Sequence, residues 1–149
     1  MVCDTGDVKI SGLRSPHELV GGLVYFGRML DKIRLHAAGK LPADYHENLG
    51  KGFDGRCCSF LHVAYGDVVT RVKQGGTDGE ILQWCFQKGR KPTDEEIEIW
   101  NDYMRKRGWH DSVSKRLVER LKEGGFSHRT DIQTFFDYID ADEGRIPPN

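Results

Sequence analysis

The sequence predicts an all-α protein, a single compact domain of six or seven short helices packed as an irregular helical bundle. Four segments carry a hydroxyl residue followed three positions later by Glu or Gln, which is the spacing of a capping box at a helix N-terminus. Each one precedes apolar residues at three- and four-residue intervals, the period of an amphipathic helix. The four segments are Ser15–Glu18, Thr77–Glu80, Thr93–Glu96 and Thr130–Gln133.

The predicted first helix begins at Ser15, with Pro16 in its first turn, where the missing N–H of proline costs nothing. Gly39 fits its C-terminal cap. Its apolar positions form one stripe: Leu19, Leu23, Phe26, Leu30, Ile33 and Ala37.

A glycine-rich connection follows over residues 39–55, with an apolar or aromatic residue at every fourth position. Loops of this length in a compact domain tend to be functional or disordered. We expect this one to be ordered, with a helical turn near Tyr45–Asn48. Further helices are predicted from Arg56 to Ala64, Asp67 to Gln74, Thr77 to Gly89, Thr93 to Gly108, Asp111 or Ser112 to Gly124, and Thr130 to Ile139.

Composition narrows the class of protein. A chain of 149 residues with 38% hydrophobic content is ordinary for a soluble domain. No apolar run has membrane-spanning length, and the N-terminus lacks a secretory signal. A net charge of −1 argues against a nucleic-acid partner. We expect a cytoplasmic protein with reduced cysteines, made of a flexible lead (1–13), the all-α domain (14–145) and a tail (146–149).

The strongest candidate site combines the first helix with the 39–55 loop. Arg28 and Lys32 lie off the apolar stripe, and guanidinium and ammonium groups hold carboxylates or phosphates. His36 and His46 are the candidate catalytic residues, because histidine transfers protons near neutral pH. Alternatively, Asp31 neutralises the cations and His36 only packs against the loop. The other candidate ligand-binding residues here are Tyr45, Asn48, Lys51 and Arg56.

A second cluster lies on the predicted fifth helix and just after it. Trp100, Asn101, Arg105 and Trp109 place two indoles near an amide and a guanidinium, which is typical of a small-molecule pocket. Alternatively, the tryptophans belong to the core and Asn101 fastens a neighbouring helix end. The sequence contains no metal-binding or nucleotide-binding motif, and we predict no metal or cofactor.

Charges are unevenly distributed near the C-terminus. Residues 105–122 contain seven bases and two acids, whereas residues 131–143 contain five acids and no base. The acids Asp137, Asp140, Asp142 and Glu143 suggest a solvated acidic face. Opposed basic and acidic helices would also suit a non-catalytic interaction module or a homo-oligomer.

Several short motifs resemble a known family. They are Leu13–Pro16, Gly21-Gly22, Arg28–Lys32, His36-x-x-Gly39, Glu96–Asn101 and Asp131–Asp140. Together they resemble the bacterial family catalogued as domain-of-unknown-function family 5069, with similarity from Leu13 to Arg145. The resemblance implies a small, soluble, single-domain bacterial protein and brings no reaction, cofactor or catalytic residue.

The function that we expect is binding, with or without turnover, of a small anionic metabolite. The predicted pocket lies between the first helix, the 39–55 loop and the fifth helix. The alternative is the interaction or self-association module described above. Whether the protein is an enzyme stays open at this stage.

Overall fold

A computed structural model describes residues 9–145 and confirms the helical class. Seven α-helices and one small β-hairpin make up this part of the chain, with a 3₁₀ helix, Ala43–Asn48, between the first two α-helices. The predicted tail (146–149) and the first eight residues of the predicted lead lie outside the described residues. The elements are β1 Leu19–Val20, β2 Leu23–Val24, α1 Phe26–Ala37, α2 Phe53–Leu61, α3 Tyr65–Lys73, α4 Asp78–Lys88, α5 Asp94–Lys106, α6 Ser114–Glu123 and α7 Phe135–Asp142.

The predicted start of the first helix at Ser15 is wrong, because a β-hairpin occupies that segment. Val20 pairs with Leu23 across a turn formed by Gly21 and Gly22, whose φ angles are +56° and +84°. Glycine adopts positive φ at no steric cost, and two such residues suit a tight hairpin turn. The Ser15 hydroxyl donates to Asp140 Oδ2 (2.9 Å) and does not cap a helix.

Two of the four predicted capping boxes are confirmed. In both Thr77–Glu80 and Thr93–Glu96, the threonine hydroxyl accepts from the glutamate N–H at 3.2 Å, and the glutamate accepts from the threonine N–H at 2.8 Å. The box predicted at Thr130 is wrong. The last helix starts later, and Thr134 caps it by accepting from the Asp137 N–H (3.1 Å).

The core is built around the hairpin and α1. Their fully buried residues include Leu23, Phe26, Met29 and Leu30, which pack with apolar residues of the other helices. α1 contacts α3, while α5 contacts β2 and α7. The predicted stripe is therefore buried from Leu23 to Ile33, whereas its two ends, Leu19 and Ala37, are exposed.

The opposite side of α1 is not an outer face, contrary to the prediction. Arg28 and Lys32 are 4% and 5% exposed, because α2 and the end of α7 supply the carboxylates that pair with them. The described part of the lead also lies against α7. The Lys9 N–H donates to the Glu143 carbonyl (3.0 Å), and Leu13 is buried. Over residues 9–145, no helix is both long and apolar enough to cross a membrane.

Candidate ligand-binding cavity

A cavity of about 460 Å³ lies between the hairpin–α1 junction, the 3₁₀ helix, the start of α2, and the α6 and α7 helices. Its buried end is formed by Tyr25, Arg28, Lys32 and Glu143, each 5% exposed or less. Seven of its lining residues are basic and three are acidic, which gives the lining a positive excess. The basic ones are Arg28, Lys32, Lys51, Arg56, Arg107, Arg116 and Arg120, and the acidic ones are Asp44, Asp142 and Glu143.

The first of two buried ion pairs joins α1 to the C-terminal end of α7. Arg28 donates from Nη1 and Nη2 to the two carboxylate oxygens of Glu143, at 2.8 and 2.7 Å. Tyr45 Oη (2.7 Å) and Arg145 Nη1 (2.6 Å) donate to the same carboxylate. Burial alone would raise the pKa of Glu143, but the hydrogen bonds and charge of Arg28 hold it below its usual value. Glu143 is therefore a buried, ionised and fully engaged carboxylate.

The second buried pair joins α1 to α2. Lys32 Nζ donates to both oxygens of Asp54, at 3.1 and 3.2 Å. Tyr25 Oη (2.6 Å) and the Gly50 N–H (3.0 Å) also donate to this carboxylate. Burial lowers the pKa of Lys32 because it disfavours the ammonium, and the charge of Asp54 offsets part of that effect. We call Arg28–Glu143 and Lys32–Asp54 the inner pairs.

Tyr25 has an unusual backbone conformation at the start of α1. Its φ of +72° lies in the left-handed region, which costs a non-glycine residue about 1–3 kcal/mol. The phenol donates to Asp54, and the ring packs edge-on against Phe53 at a centroid distance of 5.6 Å. Burial and the neighbouring Asp54 raise the pKa of the phenol well above its usual value, so Tyr25 stays a hydrogen-bond donor. These contacts hold the strained residue at the cavity wall.

Five more cations surround the outer part of the cavity, and we call them the rim cations. Arg116 and Arg120 are four residues apart on α6, and their partners Glu119 (3.8 Å) and Glu123 (3.3 Å) are local and exposed. Such surface pairs contribute about 0–1 kcal/mol and exchange readily with a ligand. The full set is Lys51, Arg56, Arg107, Arg116 and Arg120.

Among the described residues, Lys51 and Arg56 have no carboxylate partner. The Arg56 guanidinium lies 5.7 Å from the centre of the Tyr103 ring, and Arg107 lies 5.5 Å from the same ring. Arg107 also pairs with Asp111 at 3.4 Å. The rim therefore combines two cations without carboxylate partners and three with local ones.

Six of the predicted ligand-binding residues line this one cavity. They come from the first helix, the loop and the start of the second helix: Arg28, Lys32, Tyr45, Asn48, Lys51 and Arg56. The helical turn expected in the loop is the 3₁₀ helix, which carries Tyr45 and Asn48. The wall opposite was not predicted. It comes from α6 and α7, and α5 contributes only Arg107, just after its end.

The predicted catalytic histidines lie outside the cavity. His36 and His46 contact each other, with ring centroids 4.7 Å apart, and both are exposed. His46 Nε2 is 2.8 Å from the carbonyl oxygen of Leu41. His36 therefore packs against the 39–55 loop, as the alternative interpretation described, and neither histidine faces the cavity.

The second predicted cluster is also separate from the cavity. Trp100 is a core residue that donates to the Val24 carbonyl (3.3 Å), and Asn101 binds the Val24 N–H (3.0 Å) and the Gly22 carbonyl (2.8 Å). Asn101 thus fastens the hairpin to α5. Arg105 does not line the cavity, and Trp109 is 51% exposed beside His110. Trp100 lines a separate recess between α2 and α5, whereas Asn101, Arg105 and Trp109 line neither that recess nor the cavity, so the four residues do not form one pocket wall.

The cavity residues that the prediction missed differ in their sequence signal. Arg116 and Arg120 carried a usable one, since they share a helix face in a basic stretch. Glu143 carried none. We predicted that Glu143 and Asp140 lie on a solvated acidic face, but they are only 2% and 8% exposed. Asp140 binds Arg145 at 3.1 Å, so the acidic segment pairs with neighbours other than the basic helix.

Within residues 9–145, no group of three or more His, Cys, Asp or Glu side chains is arranged to hold a metal ion. Cys57, Cys58 and Cys85 are buried free thiols. Burial raises the pKa of each of these thiols, so they are poor nucleophiles at neutral pH. The cavity's chemistry is therefore that of its cations, carboxylates and phenols.

Comparison with known proteins identifies the family. No curated protein matches the sequence. The family profile described as Domain of unknown function (DUF5069) matches residues 10–145, which is nearly the whole described chain. The protein therefore belongs to the DUF5069 family.

Proposed function

We propose that the cavity binds a small anionic metabolite that carries two or more negative groups. One observation supports this proposal above all: five rim cations surround a recess, and each has either a single local carboxylate partner or none among the described residues. A volume of about 460 Å³ falls within the range of roughly 300–1,000 Å³ that is typical of small-molecule sites. A ligand with several anionic groups would match the charge of the rim.

The inner pairs would have a different role from the rim cations. Arg28 and Lys32 already neutralise Glu143 and Asp54, so they add no net charge. They would fix the shape of the cavity and donate their remaining N–H groups to the innermost part of the ligand. Tyr45 and Asn48 of the 3₁₀ helix would form the adjoining polar wall.

A ligand screen on paired variants tests this proposal. The binding variant is Arg116→Gln/Arg120→Gln. The matched control is Lys115→Gln/Lys122→Gln, which removes the same charge from the same helix at exposed positions that do not line the cavity. Thermal unfolding would be followed with pyrophosphate, citrate and other multivalent anions, and affinities would be measured by calorimetry.

Wild type and the control should be stabilised by at least one such anion, whereas the Arg116/Arg120 variant should not. A ligand at 100 times its Kd adds about 2.7 kcal/mol, or about 5 to 10 °C for a chain of this length. Equal stabilisation of both variants would mean that the anions bind elsewhere. No stabilisation of wild type by any multivalent anion would argue against the proposal.

Three other expectations join this proposal. The first is a bacterial protein of the cytoplasm; the buried free thiols support the cytoplasmic location, because they suit a reducing compartment, and the bacterial origin rests on the family resemblance alone. Fractionation of a bacterium that expresses the protein would test it. We also retain the expectation of no nucleic-acid partner, which gel-shift measurements would test, and of a homo-oligomer, which analytical ultracentrifugation would test.

A further inference from the structure

A second, more apolar recess opens directly beside the cavity, between α2 and α5. It shares Gly52 and Arg56 with the cavity, so the two recesses adjoin at these residues. Gly52 has φ +54°, and a Cβ added there would meet no atom within 4 Å. The space beside the Gly52 Cα, where the two recesses adjoin, is therefore open.

The apolar recess has exposed side chains at its outer edge. Ile99 and Tyr103 are 61% and 40% exposed, and Phe60 lies between α2 and α5 beneath them. Exposed apolar residues are ordinary when scattered singly, but here they are grouped beside a charged cavity.

The aromatic rings of this recess are unsuited to stacking a ligand. Phe60 stacks on Trp100 with centroids 4.7 Å apart, and the Arg90 guanidinium lies 4.8 Å from the centre of the Phe60 ring. The Tyr103 ring contacts Arg56 and Arg107. A flexible aliphatic chain needs no free ring face, since it packs against ring edges and the side chain of Ile99.

We propose that the ligand is a small free amphiphile, with an anionic head in the cavity and an aliphatic tail that passes Arg56 into the recess beside Ile99. This inference rests on the proposed function, because the cavity must bind the head. Charge complementarity directs the head to the rim cations. The recess that adjoins the cavity at Gly52 and Arg56 offers the nearest apolar surface to the tail.

Calorimetry with a series of n-alkyl phosphates, from methyl to octyl and below micelle-forming concentrations, tests the inference. For wild type, each added methylene should tighten Kd by about two- to four-fold until the recess is filled. Ile99→Ser should flatten this dependence and leave the Kd of methyl phosphate within about two-fold. The matched control is Val118→Ser, at an exposed residue of α6 that lines neither recess, and it should behave as wild type.

The outcomes separate the two proposals. Methyl phosphate binding with no dependence on chain length would overturn the tail and leave the cavity proposal standing. Failure of the whole series to bind, when pyrophosphate or citrate does bind, would overturn the amphiphile and leave the cavity proposal standing, whereas failure of those anions as well would overturn both. Binding to phosphatidylglycerol vesicles without binding to free alkyl phosphates would assign the recess to a membrane surface and overturn the inference. Self-association that Ile99→Ser abolishes, with unchanged chain-length dependence, would assign the recess to a second copy and also overturn it.

Discussion

The inner pairs and the rim cations are both rich in positive charge, yet their surroundings differ sharply. Arg28 and Lys32 are almost completely buried, and each donates at least two hydrogen bonds to a buried carboxylate. Arg116 has one local partner 3.8 Å away and is exposed, and Lys51 has none among the described residues. The same residue types therefore serve the fold in one place and remain available to a ligand in the other.

The difference shows which basic residues that line a cavity are evidence for a ligand-binding site. A buried cation with a complete set of partners mainly holds elements together, here α1 to α2 and α7. An exposed cation beside other cations does not hold elements together in this way. The repulsion between such neighbours is relieved when an anion binds, so their grouping favours anion binding. Substitutions should separate the two classes by their effects on folding and on binding.

Glu143→Ala should produce the largest loss of stability. It leaves the Arg28 guanidinium buried without its carboxylate, and such losses cost about 3–5 kcal/mol. It also removes the acceptor of Tyr45 and one acceptor of Arg145. Urea unfolding followed by circular dichroism would measure the change.

Glu119→Ala is the control for that measurement. It removes the partner of Arg116, an exposed pair on α6, and should change the unfolding free energy by about 0.5 kcal/mol or less. A similar small change for Glu143→Ala would contradict the structural role of the inner pair.

Asp54→Asn should cost less, about 2–3 kcal/mol, although the site is fully buried. Tyr25 and Gly50 donate to different oxygens of Asp54, and asparagine keeps only one of them. That oxygen can accept from the Gly50 N–H while the amide NH2 donates to the Tyr25 hydroxyl, which can also accept, but the Lys32 ammonium is no longer neutralised. Chemical unfolding at pH 7 would measure the loss. Adding Lys32→Met to this variant should recover part of it, and a double variant no more stable than Asp54→Asn would count against an uncompensated charge as the cause.

The sequence predicted the local features of this molecule well. The boxes at Thr77 and Thr93 join residues three positions apart, so nothing distant decides them. Ser15 has the same pattern, but its hydroxyl binds Asp140, 125 positions later, and the Gly21-Gly22 turn directs the chain into a hairpin. A capping motif alone does not exclude that outcome.

The site was predicted in part for the same reason. The loop and the first helix are close in sequence, and the structure gathers their polar residues into one cavity. The other wall depends on contacts such as Arg28–Glu143, which joins residues 115 positions apart. One sequence without aligned relatives gives no signal for that pairing, and so the burial of Arg28 could not be predicted.

Lowering the pH should reduce the free energy of unfolding by a smaller amount than the substitutions of Glu143 and Asp54 do. This dependence tests whether Glu143 is ionised in the folded protein. Burial raises the pKa of Glu143, but the hydrogen bonds and charge of Arg28, together with hydrogen bonds from Tyr45 and Arg145, outweigh it, so the folded pKa lies below the usual 4.5. A depressed pKa means that the unfolded state binds the proton more tightly, so this stability is present above about pH 4.5 and is lost as pH falls through the folded pKa. Each unit by which the folded pKa lies below the unfolded pKa contributes about 1.4 kcal/mol to the free energy of unfolding at neutral pH.

Unfolding free energies measured between pH 7 and pH 3 would check this expectation. Glu143→Gln has no carboxyl to titrate at this position, so its stability should fall less steeply over the same range. Equal slopes for wild type and Glu143→Gln would show that other carboxyl groups, such as Asp78 beside Arg14 and Arg34, account for the acid sensitivity.

Arg116→Gln/Arg120→Gln should have the smallest effect on folding and yet abolish multivalent anion binding. Two like charges four residues apart on a helix repel each other, so removing them should leave the ligand-free stability unchanged or raise it by about 0.2–0.5 kcal/mol. Urea unfolding without ligand, followed by the same measurement with pyrophosphate, separates the two effects. A loss of more than about 1 kcal/mol without ligand would place these arginines with the inner pairs as structural residues, since surface substitutions away from structural features usually stay within about 0.5 kcal/mol. The distinction between the two classes of cation would then disappear.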